Sequence, residues 1–315
     1  MNAASSVADL VGRTPLVRLG DACRGRAGAI YGKLERSNPG GSVKDRIARA
    51  MVADAEARGT LRPGGTLVEP TSGNTGVALA MIGAAKAYRV VLTMPDTMSP
   101  ERRRLLVALG ADLVLTPGAD GMRGAIEEAG RLASGIPGAV VLGQFENPAN
   151  PRVHEETTGP EIWEATDGAV DVVIAGIGTG GTATGIARFL RWRKPGARVI
   201  GVEPAGSPFL TEGRIGPHRI QGIGAGFAPA VLDASLLAEI VPVSDDEAGR
   251  WTRYLARREG LLCGISSGAA LAAAVAVAGQ AEAKGAVIVV ILPDGGEKYL
   301  SSSMWEVDDD DRTDS

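Results

Sequence analysis

Short apolar runs recur along this chain, each passing into small polar or glycine residues and then into a stretch with helical spacing. Strand-like segments fall at residues 29–34, 66–69, 90–94, 112–116 and 140–145, with helical stretches such as 100–109 and 121–133 between them. A second series follows at 172–175, 199–202, 239–243 and 286–292. Alternation of this kind commits a chain to parallel sheets covered by helices, the α/β class. At 315 residues the chain exceeds what one hydrophobic core usually fills, so two such domains are expected. The proline- and asparagine-rich stretch 146–151 reads as a crossing between them. Ligands of open parallel sheets bind beyond the carboxyl ends of the strands, so the chemistry is to be sought in the loops.

Three loops carry it. In the first, Asn38-Pro39-Gly40-Gly41-Ser42 opens a helix: Ser42 reads as the N-cap, Asp45 completes a Ser-x-x-Asp capping box, and Ile47, Ala50 and Met51 continue an apolar face. Lys44 then sits at N2. A cation there opposes the positive end of the helix dipole, which favours the neutral amine. A neutral lysine amine is both nucleophile and base, as Schiff-base chemistry with an aldehyde requires. For a lone lysine, a surface residue with its stem packed on the loop is the competing explanation.

The second loop follows a short strand and reads Thr71-Ser72-Gly73-Asn74-Thr75-Gly76, with a helical stretch expected over 77–87. It offers hydroxyls, an amide and backbone N–H groups at a helix N-terminus, a combination suited to a carboxylate. Capping alone would need one Ser or Thr. The third loop joins the strand at 172–175 to a helix expected over 183–193 through Gly176-Ile177-Gly178-Thr179-Gly180-Gly181-Thr182. Its glycines let the backbone approach a phosphate, and Thr179 and Thr182 add hydroxyl donors. Gly176, Gly178 and Gly181 also satisfy GxGxxG, and Glu203 closes the next strand about 20 residues on, as a dinucleotide fingerprint asks. A nicotinamide-dependent oxidoreductase therefore ranks second, behind a phosphorylated aldehyde cofactor that would use Lys44 and the carboxylate-type loop together.

Composition narrows the field. The net charge is −4, and the last ten residues hold six carboxylates against Arg312, so the rest of the chain is nearly neutral. Nothing basic suggests nucleic acid, and the acidic end is expected to be a disordered, solubilising tail over 304–315. Cys23 and Cys263 lie far apart, and His154 and His218 are isolated, so neither a disulfide framework nor a metal site is indicated. Each histidine reads as structural or surface. The apolar stretches 269–278 and 287–292 are too short to span a bilayer, and no basic-then-apolar leader opens the chain. A cytoplasmic protein without membrane partners is expected.

With these motifs in hand, the sequence resembles the cysteine synthases, the O-acetylserine sulfhydrylase branch of fold-type-II pyridoxal-phosphate enzymes, from Asp9 to about Ser302. The resemblance implies two open, twisted, mostly parallel α/β domains like those of the tryptophan synthase β-subunit, with pyridoxal 5′-phosphate in the cleft between them. It divides the chain into a smaller domain at 42–147 and a larger one at 1–41 with 148–303. Lys44, in Asn-Pro-Gly-Gly-Ser-Val-Lys-Asp-Arg, would carry the cofactor as an internal aldimine and act as the catalytic base. Gly178, Thr179, Gly180, Gly181 and Thr182 would hold its phosphate, and Asn74 its ring 3′-oxygen. Ser266, the first serine of Gly264-Ile265-Ser266-Ser267-Gly268, would face the pyridine nitrogen. Thr71, Ser72, Asn74, Thr75, Gln144 and Gly222 would bind the substrate.

A hydroxyl opposite the ring nitrogen makes a weaker electron sink than a carboxylate partner, which suits β-elimination over transamination. At least one of Ser266 and Ser267 is expected simply to cap the alanine-rich helix that follows. The implied reaction is β-replacement, turning O-acetyl-L-serine and sulfide into L-cysteine and acetate through α-aminoacrylate. The loop Ile220-Gln221-Gly222-Ile223-Gly224-Ala225-Gly226-Phe227 contains no arginine to pair a phosphate dianion, although Arg214 and Arg219 lie just upstream. O-phosphoserine therefore stays open as the substrate, as does a cystathionine β-synthase-like reaction. The resemblance also implies a homodimer, and docking of the C-terminal peptide of serine acetyltransferase as a regulatory role.

Overall fold

The computed structural model of the chain describes residues 3–71 and 73–305, so Ser72 and the acidic residues 306–315 lie outside the described region. In chain order the strands are β1 (Leu16–Arg18), β2 (Ala29–Leu34), β3 (Thr66–Pro70), β4 (Arg89–Pro95), β5 (Asp112–Thr116), β6 (Val140–Val141), β7 (Val170–Gly176), β8 (Arg198–Pro204), β9 (Glu239–Val243) and β10 (Val287–Leu292). The helices are α1 (Lys44–Ala57), α2 (Asn74–Lys86), α3 (Pro100–Ala108), α4 (Gly121–Gly135), α5 (Ala149–Val153), α6 (Gly159–Ala165), α7 (Gly181–Arg193), α8 (Phe209–Glu212), α9 (Asp245–Arg258) and α10 (Ile265–Ala278).

Two compact units emerge. One comprises residues 1–13 and 37–153, the other residues 14–36 and 154–315. These bounds stand beside the 41/42 and 147/148 boundaries expected from sequence. The N-terminal segment groups with the first unit because Ala8 and Val11 are buried in its core.

The first unit is built on a four-stranded, wholly parallel sheet of order β5-β4-β3-β6. Side chains alternate strictly across it. Leu67, Val90, Leu92 and Met94 face a core shared with α1 and α2, while Val68 and Val91 face Ala129 of α4. The helix α2 is apolar on every side and buried from Thr75 to Gly83, as a helix enclosed in a core must be. It begins at Asn74, three residues before the expected start, because Gly73 takes the extended N-cap position and the polar residues already lie in the first turn.

The second unit carries a six-stranded sheet of order β1-β2-β10-β7-β8-β9, parallel except for β1 against β2. Its central strand β10, Val-Ile-Val-Val-Ile-Leu, is sandwiched between helices, and this is why it reads as an unbroken apolar run. Ile288, Val290 and Leu292 join a core with Trp251, Leu255 and Leu271 of α9 and α10. Val289 and Ile291 face Ile162 and Ile186 of α6 and α7 on the other side. The amphipathic helix α9 is capped by Ser244, whose Oγ accepts the Glu247 N–H at 3.2 Å, with acidic residues in its first turn and Arg257 and Arg258 in its last. Among the described residues no helix is long and apolar enough to cross a membrane.

Candidate active site

Lys44 opens α1, with Val43 in the N-cap position, so it stands at N1 and not at the expected N2. The capping contacts are arranged differently from the box read in the sequence. Ser42 Oγ accepts the Lys44 N–H at 3.2 Å, and the buried Asp45 carboxylate reaches back to the Gly40 N–H at 2.5 Å. Gly40 cannot be replaced freely, because a Cβ there would lie 2.6 Å from Asp45 Oδ1. Lys44 itself is partly exposed, while Asp45, Arg46, Ile47 and Ala48 behind it are buried and anchor the turn.

In the same unit β3 delivers Thr71, and Gly73 N–H donates to Thr71 Oγ1 at 3.3 Å, tightening the turn into α2. Thr71 and Thr75 are buried, and Asn74 is partly exposed at the helix start. Thr75 Oγ1 donates to Gln144 Oε1 at 2.7 Å across 69 residues of sequence, so two of the proposed carboxylate ligands are brought together. With its carbonyl end engaged by Thr75, the Gln144 carboxamide presents its NH₂ end as the donor. Helix N-terminal N–H groups, hydroxyls and an amide make a neutral carboxylate receptor.

The second unit assembles the phosphate-type loop. β7 ends at Gly176, Gly180 adopts a left-handed conformation with φ 83°, and α7 begins at Gly181. A Cβ on Gly178 would collide with the Gly222 carbonyl oxygen, and one on Gly180 would lie 2.7 Å from Leu232 Cβ. Glycine at Gly178 and Gly180 thus lets the loops carrying Gly222 and Leu232 pack directly against the turn into α7. The loop following Ile220 closes on this site. Gly224 N–H donates to the Ile177 carbonyl at 3.0 Å, and Gly222, with φ 93°, has its missing Cβ position 3.9 Å from Ser266 Oγ. Ser266 is buried in the first turn of α10. The N-cap of α10 is Gly264 without any side-chain cap, so neither Ser266 nor Ser267 has the capping role expected for one of them.

A family profile described as "Pyridoxal-phosphate dependent enzyme" matches residues 7–294. The chain belongs to this family. It is 52% identical over 304 residues to cysteine synthase A of Escherichia coli (strain K12), covering 94% of this chain and 93% of that one. A cysteine synthase structure from Entamoeba histolytica superposes with a TM-score of 0.95 at 42% identity, covering 98% of this chain and 92% of that chain. The structure of an O-ureido-L-serine synthase superposes with a TM-score of 0.93 at 45% identity, covering 98% of this chain and 97% of that chain.

Pyridoxal phosphate is thus the cofactor, and the residues fit it. It requires an anion site at a helix N-terminus, for which the glycine turn into α7 is the candidate, and a primary amine, for which Lys44 is the candidate. The same geometry removes the dinucleotide alternative. Glu203 is not directed at a ribose: its buried carboxylate accepts the Leu210 N–H at 2.9 Å, the Thr211 N–H at 3.0 Å and the Thr211 hydroxyl at 2.5 Å. It serves as an anchor for α8.

Two contributors escaped the sequence. His154, isolated in the chain, is 1% exposed, with Nδ1 2.9 Å from Thr158 Oγ1 and Nε2 3.2 Å from Thr182 Oγ1. It contacts the start of α7 through Thr182, and a π-helical turn over His154–Thr158 brings it there. Glu69 underpins Gln144 in the first unit. Neither had a sequence signal, because Thr182 lies 28 residues from His154 and the partners of Glu69 lie 73 to 75 residues away.

Cys263, three residues before Ser266, is a buried free thiol. Burial pushes its thiol up to about 12. At pH 8 a thiol-alkylating reagent should leave Cys263 unmodified in the native protein and modify it once the chain is unfolded, as peptide mapping will show.

Proposed function

We propose that this enzyme is a cysteine synthase that uses O-acetyl-L-serine and sulfide. The observation that carries the reading is the Thr75–Gln144 pair at the N-terminus of α2, a receptor for an amino-acid carboxylate in a chain that uses pyridoxal phosphate. The relatives named cysteine synthase support the nucleophile, sulfide. The choice of leaving group is supported by the fate of the two upstream arginines. Arg219 is engaged by Asp245 and Asp246, and Arg214 by Glu212, all on the surface. No arginine lies within 220–227 to meet a phosphate dianion.

In this proposal Lys44 holds the cofactor through Nζ, Gly178, Thr179, Gly180, Gly181 and Thr182 hold its phosphate, Asn74 its 3′-oxygen, and Ser266 faces its ring nitrogen. Pyridoxal phosphate supplies an electron-accepting ring that acidifies the substrate Cα–H. Thr71, Ser72, Asn74, Thr75 and Gln144 orient the α-carboxylate, and Gly222 leaves room beside Ser266 for the substrate. With the substrate bound, the Lys44 Nζ amine would take the Cα proton as acetate departs from Cβ. After sulfide adds at Cβ, Lys44 Nζ would return a proton to Cα before L-cysteine leaves.

The same receptor would accept the C-terminal carboxylate of a peptide. Docking of serine acetyltransferase is accordingly included in the proposal, with competitive inhibition as its signature. A homodimeric, cytoplasmic state is included on the family resemblance.

The deciding experiment is the visible spectrum of the purified protein with O-acetylserine, and with O-phosphoserine in a parallel cuvette. The expected result is a yellow protein whose band shifts with acetylserine and returns when sulfide is added. A shift with phosphoserine alone would replace the substrate. A protein that stays colourless after pyridoxal phosphate is supplied would overturn the proposal.

A further inference from the structure

The Thr75–Gln144 pair has a foundation that the catalytic reading leaves unused. Glu69, in β3, is 2% exposed and shares the sheet face of Leu67, the face covered by α1 and α2. β6 pairs with β3 only through Leu67–Val140 and Val68–Val141, although a strand was expected to continue to residue 145. Past Val141 the backbone leaves the ladder and turns onto the Glu69 carboxylate. Oε2 accepts the N–H groups of Leu142 at 3.2 Å and Gly143 at 3.1 Å, and Oε1 accepts that of Gln144 at 3.2 Å. Gly143 has φ 67°, a conformation that lets consecutive N–H groups converge on one anion.

We infer that Glu69 is a positioning residue for substrate recognition: its carboxylate fixes the backbone of Gln144 so that the carboxamide engages Thr75 and meets the substrate α-carboxylate. The inference rests on the proposed role of Thr71, Asn74, Thr75 and Gln144 as carboxylate receptor. Gln144 is held at three points. Glu69 takes its N–H, Asn150 Nδ2 donates to its carbonyl at 2.8 Å, and Thr75 takes its side chain. Asn147 closes the loop, donating to the Leu142 carbonyl at 2.9 Å and accepting the Ala149 N–H at 3.0 Å.

Keeping a carboxylate inside a sheet is costly. Desolvation pushes the Glu69 carboxyl above its ordinary range, against the opposing pull of the three N–H donors. An apolar side chain would pack at lower cost. It would also leave three consecutive N–H groups without this acceptor and release the loop that carries Gln144. The buried charge is explained by what it holds in place.

Glu69→Gln tests this directly, because it keeps the shape and one acceptor oxygen but sets an NH₂ group against backbone N–H donors. The expected result is a rise of about tenfold or more in KM for the amino-acid substrate, with kcat changed by less than about twofold and the bound-cofactor band unchanged. Spectral titration separates recognition from turnover. Affinity for L-serine should fall by that factor, and affinity for ethanolamine, the same amine without the carboxylate, should not. In a Gln144→Ala background the added Glu69→Gln change should have no further effect, since both act through one side chain. Equal weakening of L-serine and ethanolamine, or full additivity with Gln144→Ala, would overturn the inference. If Glu69→Gln does not fold, Glu69→Asp, which keeps the charge on a shorter arm, enters the same cycle with the same expected pattern. Failure of the underlying proposal is distinct, since the wild-type protein would then itself show no preference for L-serine over ethanolamine.

Discussion

Lys44→Ala is expected to abolish the visible band of the bound cofactor and to lower turnover by at least about a thousandfold, while leaving a folded protein. The loss is large because, in the proposed mechanism, one amine does three jobs: covalent attachment, removal of the Cα proton and its return. The fold should survive because the turn does not depend on that side chain. Asp45 ties the glycine loop through Gly40, Ile47, Ala48, Met51 and Val52 bury the helix face, and alanine is the best helix former at the vacated position. Lys44→Arg should be nearly as inactive despite keeping the charge, since a guanidinium does not deprotonate near neutral pH and cannot act as nucleophile or base. Circular dichroism, the cofactor absorption band and steady-state rates distinguish these outcomes. Normal turnover in Lys44→Ala would remove Lys44 from the mechanism.

How much of this was legible in sequence follows from how local each interaction is. β10 was readable because burial on both faces writes itself as Val-Ile-Val-Val-Ile-Leu. The glycine loop before α7 was readable because the left-handed backbone conformation of Gly180 demands glycine locally. The end of β6 was misread because Val140 to Phe145 looks like a continuous strand. What terminates it is a carboxylate 73 residues earlier, Glu69, which captures the N–H groups a longer strand would have spent on the ladder. Glu203 shows the same limit in reverse. Its spacing matched a dinucleotide motif, but hydrogen bonds to Leu210 and Thr211 decide its role. His154 carried no motif at all, and its meaning lies in Thr182 on another helix.

Gly268→Ala is expected to be the most damaging single-methyl change in the second unit, although Gly268 touches no proposed ligand. Gly268 lies in α10 where it crosses α9, and a Cβ built there would fall on the Ala248 carbonyl and the Thr252 hydroxyl, and 2.6 Å from Thr252 N. Those atoms have no room to yield. Ala248 O and Thr252 Oγ1 are already joined by a buried 2.7 Å hydrogen bond inside α9, and the rest are backbone. Relief requires one helix to move off the other, with Trp251, Leu255, Ala269 and Leu271 moving out of the core they share. Overpacking of this kind costs about 1–3 kcal/mol, and contact with rigid backbone places this site at the upper end. Because Ser266, proposed to face the cofactor ring, is two residues away in the same first turn, cofactor affinity should fall together with stability. The control is Gly130→Ala, the same methyl placed mid-helix in α4, where nothing lies within 4 Å of the new Cβ. There the helix gains about 0.5–1 kcal/mol from lost unfolded-state freedom. Denaturant unfolding should therefore give opposite signs for the two substitutions, and equal signs would remove the α9–α10 crossing as the cause.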